Sequence, residues 1–299
     1  MGKPLGYSPE ETFWYWIRER HNIFLKRQAG DGPPWTDDPI LQIYRFCNPF
    51  RENDKVTRWQ REVFFPQAEA VGATDELLAF NLVWFRQFNR IKTAELLGFQ
   101  TDWDPDRVKS LLKERAKTQP VFTGAFIIRS EFGKGKIDSI VDLLTKVWEA
   151  RSGLVTCIRE TNSIQLTTQW LTRFPYIGDF MAYEMVTDMR HTRLLENAVD
   201  IMTWANPGPG AERGLAYLYG EPRMKKDGTL YQFLHRSEMV PLMKGLLDKS
   251  EGKLGPDFPK MEMRDIEHSL CEVFKYQRGF SRQRYPGGIG EGNLPSSEA

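Results

Sequence analysis

Apolar residues in this chain recur at three- and four-residue spacings, and residues suited to capping stand where those stretches begin. Ser8-Pro9-Glu10-Glu11 reads as a capping box with proline at the first helical position, which predicts a helix to about Lys26. Ala29-Gly30-Asp31-Gly32-Pro33-Pro34 predicts a loop, and positions 38–61 read as helical with a break at Asn48-Pro49. Thr74, followed by Asp75 and Glu76, opens a helix through Leu77, Phe80, Val83, Trp84 and Phe88, and Asp104-Pro105-Asp106 opens another. Residues 136–151 set Ile137, Ile140, Val141, Leu144 and Val147 along one stripe, and further helices are predicted over 161–173, 179–190, 211–219, 229–248 and 262–278. Only Ala125-Phe126-Ile127-Ile128 reads as a strand. The pattern predicts an all-α fold, a helical bundle in two packed lobes. It is organised as one domain over 1–283, and the Gly-, Pro- and Ser-rich end, 284–299, is expected to be a disordered tail.

Within 161–191 a helix ends at Phe174, a Pro-x-x-Gly turn follows, and a second helix begins with Phe180, Ala182 and Met185 facing inward. Such a turn directs the backbone N–H groups of Tyr176, Ile177, Gly178, Asp179 and Phe180 outward at a helix N-terminus, where the dipole favours an anion. That suits a DNA phosphate contacted without sequence reading, although an ordinary αα-corner has the same outline. Phe174, Pro175, Ile177, Gly178 and Ala182 resemble the hairpin of the helix-hairpin-helix DNA glycosylases, with Tyr176 where that family has its first glycine. The resemblance implies a helix-hairpin-helix DNA-glycosylase-like bundle and a catalytic carboxylate downstream, a place held here by Asp200. A carboxylate there would stabilise an oxocarbenium-like sugar and orient water; a plain surface carboxylate is the competing reading. Phe180 stands where bifunctional members carry a lysine, so the implied enzyme is monofunctional and leaves an abasic site.

Further segments are similar to one branch of this fold, the helical domain found with 5-hydroxymethyluracil DNA kinases and in α-glutamyl/putrescinyl thymine pyrophosphorylases. They are Tyr44-Arg45-Phe46-Cys47-Asn48-Pro49-Phe50-Arg51 with Asp54 and Thr57, Trp84-Phe85-Arg86-Gln87-Phe88-Asn89, Thr123-Gly124-Ala125-Phe126, the glycine-rich run 206–214, and Arg264-Asp265-Ile266-Glu267-His268 through Cys271-Glu272. Asn48, Arg51 and Asp54 lie three apart, so one helical face would carry an amide, a guanidinium and a carboxylate able to read an extruded base. Arg86 and Asn89 repeat that spacing, and Arg213 and His268 complete the candidate base pocket; solvated faces or a buried polar network are the alternatives. The glycines of 206–214 are expected to bring backbone close to a phosphate or sugar, or to form a plain loop. Residues 274–285 interleave basic and aromatic side chains, and Lys275 and Arg278 are the candidate backbone contacts there.

Composition narrows this picture. Lys plus Arg number 41 against 40 Asp plus Glu, which excludes a histone-like, purely electrostatic DNA binder. Cys47, Cys157 and Cys271 are isolated, so a disulfide framework, an iron–sulfur cluster and a structural zinc site are not expected, and a reducing cytoplasm is. The four histidines show no metal-ligand spacing, and the sequence has no G-x-x-x-x-G-K-[ST] run. No metal, no nucleotide or other cofactor and no membrane partner are therefore expected; the expected partner is DNA containing modified bases. Three functions fit. The first is a glycosylase excising a 5-hydroxymethyl-derived pyrimidine, glucosylated or not, from phage DNA in anti-phage defence. The second is a transferase replacing pyrophosphate on 5-hydroxymethyluracil in DNA with an amine or amino acid. The third is a non-catalytic reader of modified DNA.

Overall fold

The computed structural model describes residues 6–281 and 283–285. They form two compact units, one made of the described residues up to Asp54 and from Ile201 onward, the other Lys55–Asp200. The first unit opens with α1 (Pro9–Ala29), α2 (Pro39–Ile43) and a two-residue strand, β1 (Tyr44–Arg45). The second contains α3 (Lys55–Trp59), which continues through a π turn into α4 (Phe65–Ala70), then α5 (Asp75–Phe88), α6 (Ile91–Leu97), α7 (Pro105–Ala116), α8 (Lys136–Glu149), α9 (Arg151–Thr161), α10 (Ile164–Leu171) and α11 (Asp179–Met189). The first unit resumes with α12 (Pro209–Tyr219), the hairpin β2 (Glu221–Met224) and β3 (Leu230–Phe233), α13 (Arg236–Leu254), α14 (Met263–Gln277) and β4 (Gln283–Arg284), which pairs antiparallel with β1. The fold is all-α with two minimal sheets. No helix among the described residues is long and apolar enough to cross a membrane.

Local chemistry explains the element boundaries. Ser8 and Glu11 cap α1 reciprocally, and Gly30 closes it in the left-handed conformation. Thr74 caps α5 and Asp104 caps α7. The core of the first unit is the inward face of α1 (Phe13, Trp16, Ile17) against α14 (Ile266, Leu270, Tyr276), with Phe46 wedged 6.2 Å from Trp16 and 6.1 Å from Tyr276. In the second unit α5 is buried at every position from Leu78 to Phe88, the mark of a helix enclosed on all sides. Phe64 fits edge-on against Trp84, and Phe80 meets Trp103 and Trp148 at 4.9 and 5.0 Å.

Several expectations change. Residues 125–128 are irregular rather than a strand. The helix expected from 229 starts at Arg236, because Leu230–Phe233 pairs with Glu221–Met224 around the turn at Gly228, whose φ is +82°. Two helices, α6 and α9, occupy stretches with no helix expected. The expected tail lies, from residue 286, outside the described residues, and Arg284 is paired in β4.

Candidate functional site

In the first unit the chain leaves β1, turns through Asn48-Pro49, makes one 3-10 turn (Arg51–Asn53) and reaches Asp54. Asn48, Arg51 and Asp54 are therefore brought together by a closed loop, not by a helical face; Pro49 removes an amide that a helix would use. The Asn48 backbone N–H donates to Asp54 Oδ1 at 2.9 Å, and its Nδ2 donates to Asn53 O at 2.9 Å and to Asp54 Oδ1 at 3.2 Å. Asn48 is 7% exposed and its Oδ1 has no hydrogen-bond partner among the described residues. Arg51 is buried beside it. His268, on α14, faces the loop, with its Nε2 3.6 Å from Asp54 Oδ2. Burial alone would raise the Asp54 carboxyl, but the His268 ring and the Asn48 amide hold it below the usual carboxylate range.

Cys47 joins this cluster, a residue that sequence spacing did not single out. One ligand atom each from Cys47, Asp54 and His268 lie within 4.8 Å of one another. Glu272 Oε2 accepts the Cys47 backbone N–H at 3.2 Å and is paired with Lys275. Cys47 is exposed as a residue, yet packing about its sulfur, with Glu272 and Asp54 nearby, pushes its thiol pKa well up. Beside the cluster Arg264 forms ion pairs with Glu262 at 3.1 Å and Glu52 at 3.3 Å, so this part of the motif is a buried network.

The glycine-rich run 206–214 serves packing, in place of the phosphate or sugar approach expected of it. A Cβ on Gly210 would stand 2.2 Å from Cys271 Sγ, and one on Gly214 would stand 2.3 Å from the Leu270 carbonyl oxygen. The two glycines, one turn apart, let α12 lie directly on α14, and Glu267 Oε1 accepts the Gly208 N–H ahead of α12. Arg213 is exposed, with its guanidinium 5.9 Å from the Phe274 ring centroid, and Arg278 lies over Phe274 and Phe280.

In the second unit a turn over 172–178 joins α10, which ends at Leu171 rather than at the expected Phe174, to α11. Tyr176 adopts φ +67°, the conformation a glycine would favour. Ile177 is buried and anchors the turn, while Tyr176, Gly178, Asp179 and Phe180 are exposed at the start of α11. Asp200 sits at the start of α10, where Oδ1 accepts the Ile164 N–H at 2.8 Å and Oδ2 accepts the Gln165 N–H at 2.9 Å and the Ser163 hydroxyl at 2.7 Å. With Ser163 capping Leu166, the first three amides of that helix are satisfied. Arg86 is engaged as well: Nε donates to Asp188 Oδ2 at 2.8 Å, Nη2 bonds Asp188 Oδ1, and Nη1 reaches Asn89 Oδ1 at 3.0 Å and Glu184 at 3.6 Å. Asn89 is the left-handed cap of α5. Arg86 and Asn89 therefore belong to an ion-pair network of the second unit, whereas Asn48, Arg51, Asp54 and His268 gather in the first.

Comparison with known proteins places these observations. The sequence matches the family model of the 5-hmdU DNA kinase helical domain over residues 9–284. It is 26% identical to a protein of Bacillus phage SP10 described as a 5-hmdU DNA kinase, over 94% of this chain and 47% of the relative. The chain thus spans about half the length of that curated relative. No solved structure matches. These matches overturn the glycosylase reading and, with it, hydrolysis to an abasic site and the anti-phage purpose attached to it: the related protein is a kinase, a transferase, not a hydrolase of N-glycosidic bonds. The catalytic part expected of Asp200 loses its chemistry, and its hydrogen bonds are those of a helix cap.

Proposed function

The chain belongs to the family of the 5-hmdU DNA kinase helical domain, and from that premise we propose that it holds DNA bearing 5-hydroxymethyl-2′-deoxyuridine for transfer of a group onto the 5-hydroxymethyl substituent. The observation that supports this most is the buried amide of Asn48, whose Nδ2 is engaged by Asn53 and Asp54 and whose Oδ1 has no partner among the described residues. A lone buried acceptor suits the N3–H donor of a uracil and repels the N3 acceptor of a cytosine. Reaching it requires the nucleotide to leave the base stack. Arg51, Asp54 and His268 surround the amide and are positioned for the remaining polar edge and the 5-substituent. In the second unit the exposed hairpin offers the amides of Gly178, Asp179 and Phe180 to a phosphate; in the first, Arg278 offers a cation, while Lys275, expected to do so as well, is paired with Glu272.

In such a transfer a phosphoryl group passes from its donor to the hydroxymethyl oxygen, which releases its proton. A phosphoryl donor is then a partner, and the expectation of no nucleotide partner is set aside within this reading. The part given to these residues is to select and hold the base.

The test compares binding of three otherwise identical DNAs carrying 5-hydroxymethyl-2′-deoxyuridine, thymidine or 5-hydroxymethyl-2′-deoxycytidine, followed by fluorescence anisotropy. The hydroxymethyluridine DNA is expected to bind best, by about tenfold or more over the cytidine analogue, on the cost of ~1–3 kcal/mol for an unmatched buried polar group. Asn48→Ala should erase that preference and leave phosphate-based affinity in place. Equal binding of the three DNAs by the unaltered protein would sink the reading.

A further inference from the structure

His268 is far in the sequence from Cys47 and Asp54, yet the fold brings one donor atom from each of the three within 4.8 Å of the other two. We propose that Cys47 Sγ, Asp54 Oδ2 and a ring nitrogen of His268 bind a zinc ion, leaving its fourth position to solvent. The inference goes beyond the proposed function and stands whether or not the chain handles 5-hydroxymethyl-2′-deoxyuridine.

Geometry argues for a metal rather than a catalytic relay. In a Cys–His–Asp relay the thiol and the carboxylate sit on opposite ring nitrogens. Here the same donor atom of His268 lies near both the sulfur and the carboxylate. The 3.6 Å between His268 Nε2 and Asp54 Oδ2 is too long for a good hydrogen bond, and Nε2 is buried without a hydrogen-bond partner among the described residues. Two ligands at about 2.0–2.1 Å from a tetrahedral zinc stand roughly 3.3 Å apart, so modest closure makes the pair a chelate.

The supporting atoms are arranged as around a metal site. The Asn48 backbone N–H and Nδ2 both rest on Asp54 Oδ1, which fixes the carboxylate and leaves Oδ2 turned to the histidine. Glu272, itself held by Lys275, accepts the Cys47 backbone N–H and fixes the thiol's position. A thiolate, a carboxylate and a neutral imidazole together balance a divalent charge, and the mixture of sulfur, nitrogen and oxygen donors favours zinc over magnesium or calcium. Cys47 is exposed, so an ion has a path of entry.

The test is a cobalt titration of the whole chain after chelator treatment, read by absorption. The expected result is one cobalt bound per chain with a thiolate-to-cobalt charge-transfer band, displaced stoichiometrically by zinc. Cys47→Ser should abolish the band, Cys157→Ser and Cys271→Ser should retain it, and His268→Gln should weaken binding at least ~10-fold. Circular dichroism of each variant separates loss of the site from loss of fold, and zinc should raise the melting temperature of the unaltered chain but not of Cys47→Ser. Absence of a thiolate band at stoichiometric cobalt, or a band that survives Cys47→Ser, overturns the proposal.

Discussion

Two carboxylates in this chain do opposite things because their surroundings differ. Asp200 accepts hydrogen bonds from three donors at the start of α10 and so ties its own segment to that helix. Asp200→Ala should therefore cost about 1–2 kcal/mol of stability, lowering the melting temperature by ~2–4 °C per kcal/mol in a protein of this size, while the folded fraction keeps its DNA affinity. An unchanged melting temperature would show that the cap is dispensable. Asp265 is 1% exposed, and burial pushes its carboxyl up to about 7, with Glu52 and Glu262 adding to the rise and Arg264 opposing it. The folded protein then holds a proton that the unfolded chain has already lost, so stability is fullest below the ordinary carboxylate range and falls as pH rises towards about 7. Asp265→Asn keeps an oxygen to accept the Glu262 N–H, made at 2.9 Å, and should flatten that fall. Urea unfolding of both proteins at about pH 5 and about pH 8 reads the difference; parallel losses would place the pH dependence elsewhere.

At the scale of elements, the seam between α12 and α14 depends on two missing side chains. A methyl at position 214 would meet backbone atoms of Leu270 at 2.3 and 2.7 Å, and backbone cannot swing away as a side-chain end can. Gly214→Ala should cost at least ~1–3 kcal/mol by forcing the helices apart. Gly245→Ala, inside α13 with nothing among the described residues within 4 Å of its added carbon, should instead stabilise by ~0.5–1 kcal/mol. Thermal unfolding of the pair isolates close approach from helix propensity, and equal effects would refute the seam. Elements with their own chemistry were legible in sequence: the capped starts of α1, α5 and α7, and the Pro-x-x-Gly turn before α11. Those defined by a partner were not. Leu230, Tyr231 and Phe233 fit a helical stripe as readily as a strand, and the signal that distinguished them was Asp227-Gly228, a hairpin turn. Asn48, Arg51 and Asp54 were legible as a polar group but not as geometry, since a loop rather than a helix gathers them. Cys47 escaped because no short spacing ties it to His268; only the fold does.

For the whole chain, the near balance of 41 basic and 40 acidic residues limits how much of any DNA affinity comes from long-range attraction. The cations offered to DNA are few, and many of the others are already paired: Arg86 with Asp188, Arg264 with Glu262 and Glu52, Lys275 with Glu272. Each phosphate neutralised adds about 0.9 to the slope of log affinity against log salt, so a slope smaller in magnitude than ~4 is expected. Discrimination has a different origin. If the Asn48 acceptor selects a uracil edge, the ratio of affinities for hydroxymethyluridine and hydroxymethylcytidine DNA involves no phosphate and should stay constant while both affinities fall with salt. Anisotropy titrations between roughly 50 and 200 mM salt test both statements together. A steep common slope with a ratio near one would describe a general polyanion binder and leave the buried amide without a ligand. A shallow slope with a salt-independent ratio, lost in Asn48→Ala, would place recognition in the loop between β1 and α3, with the charge balance of the chain keeping unmodified DNA from competing.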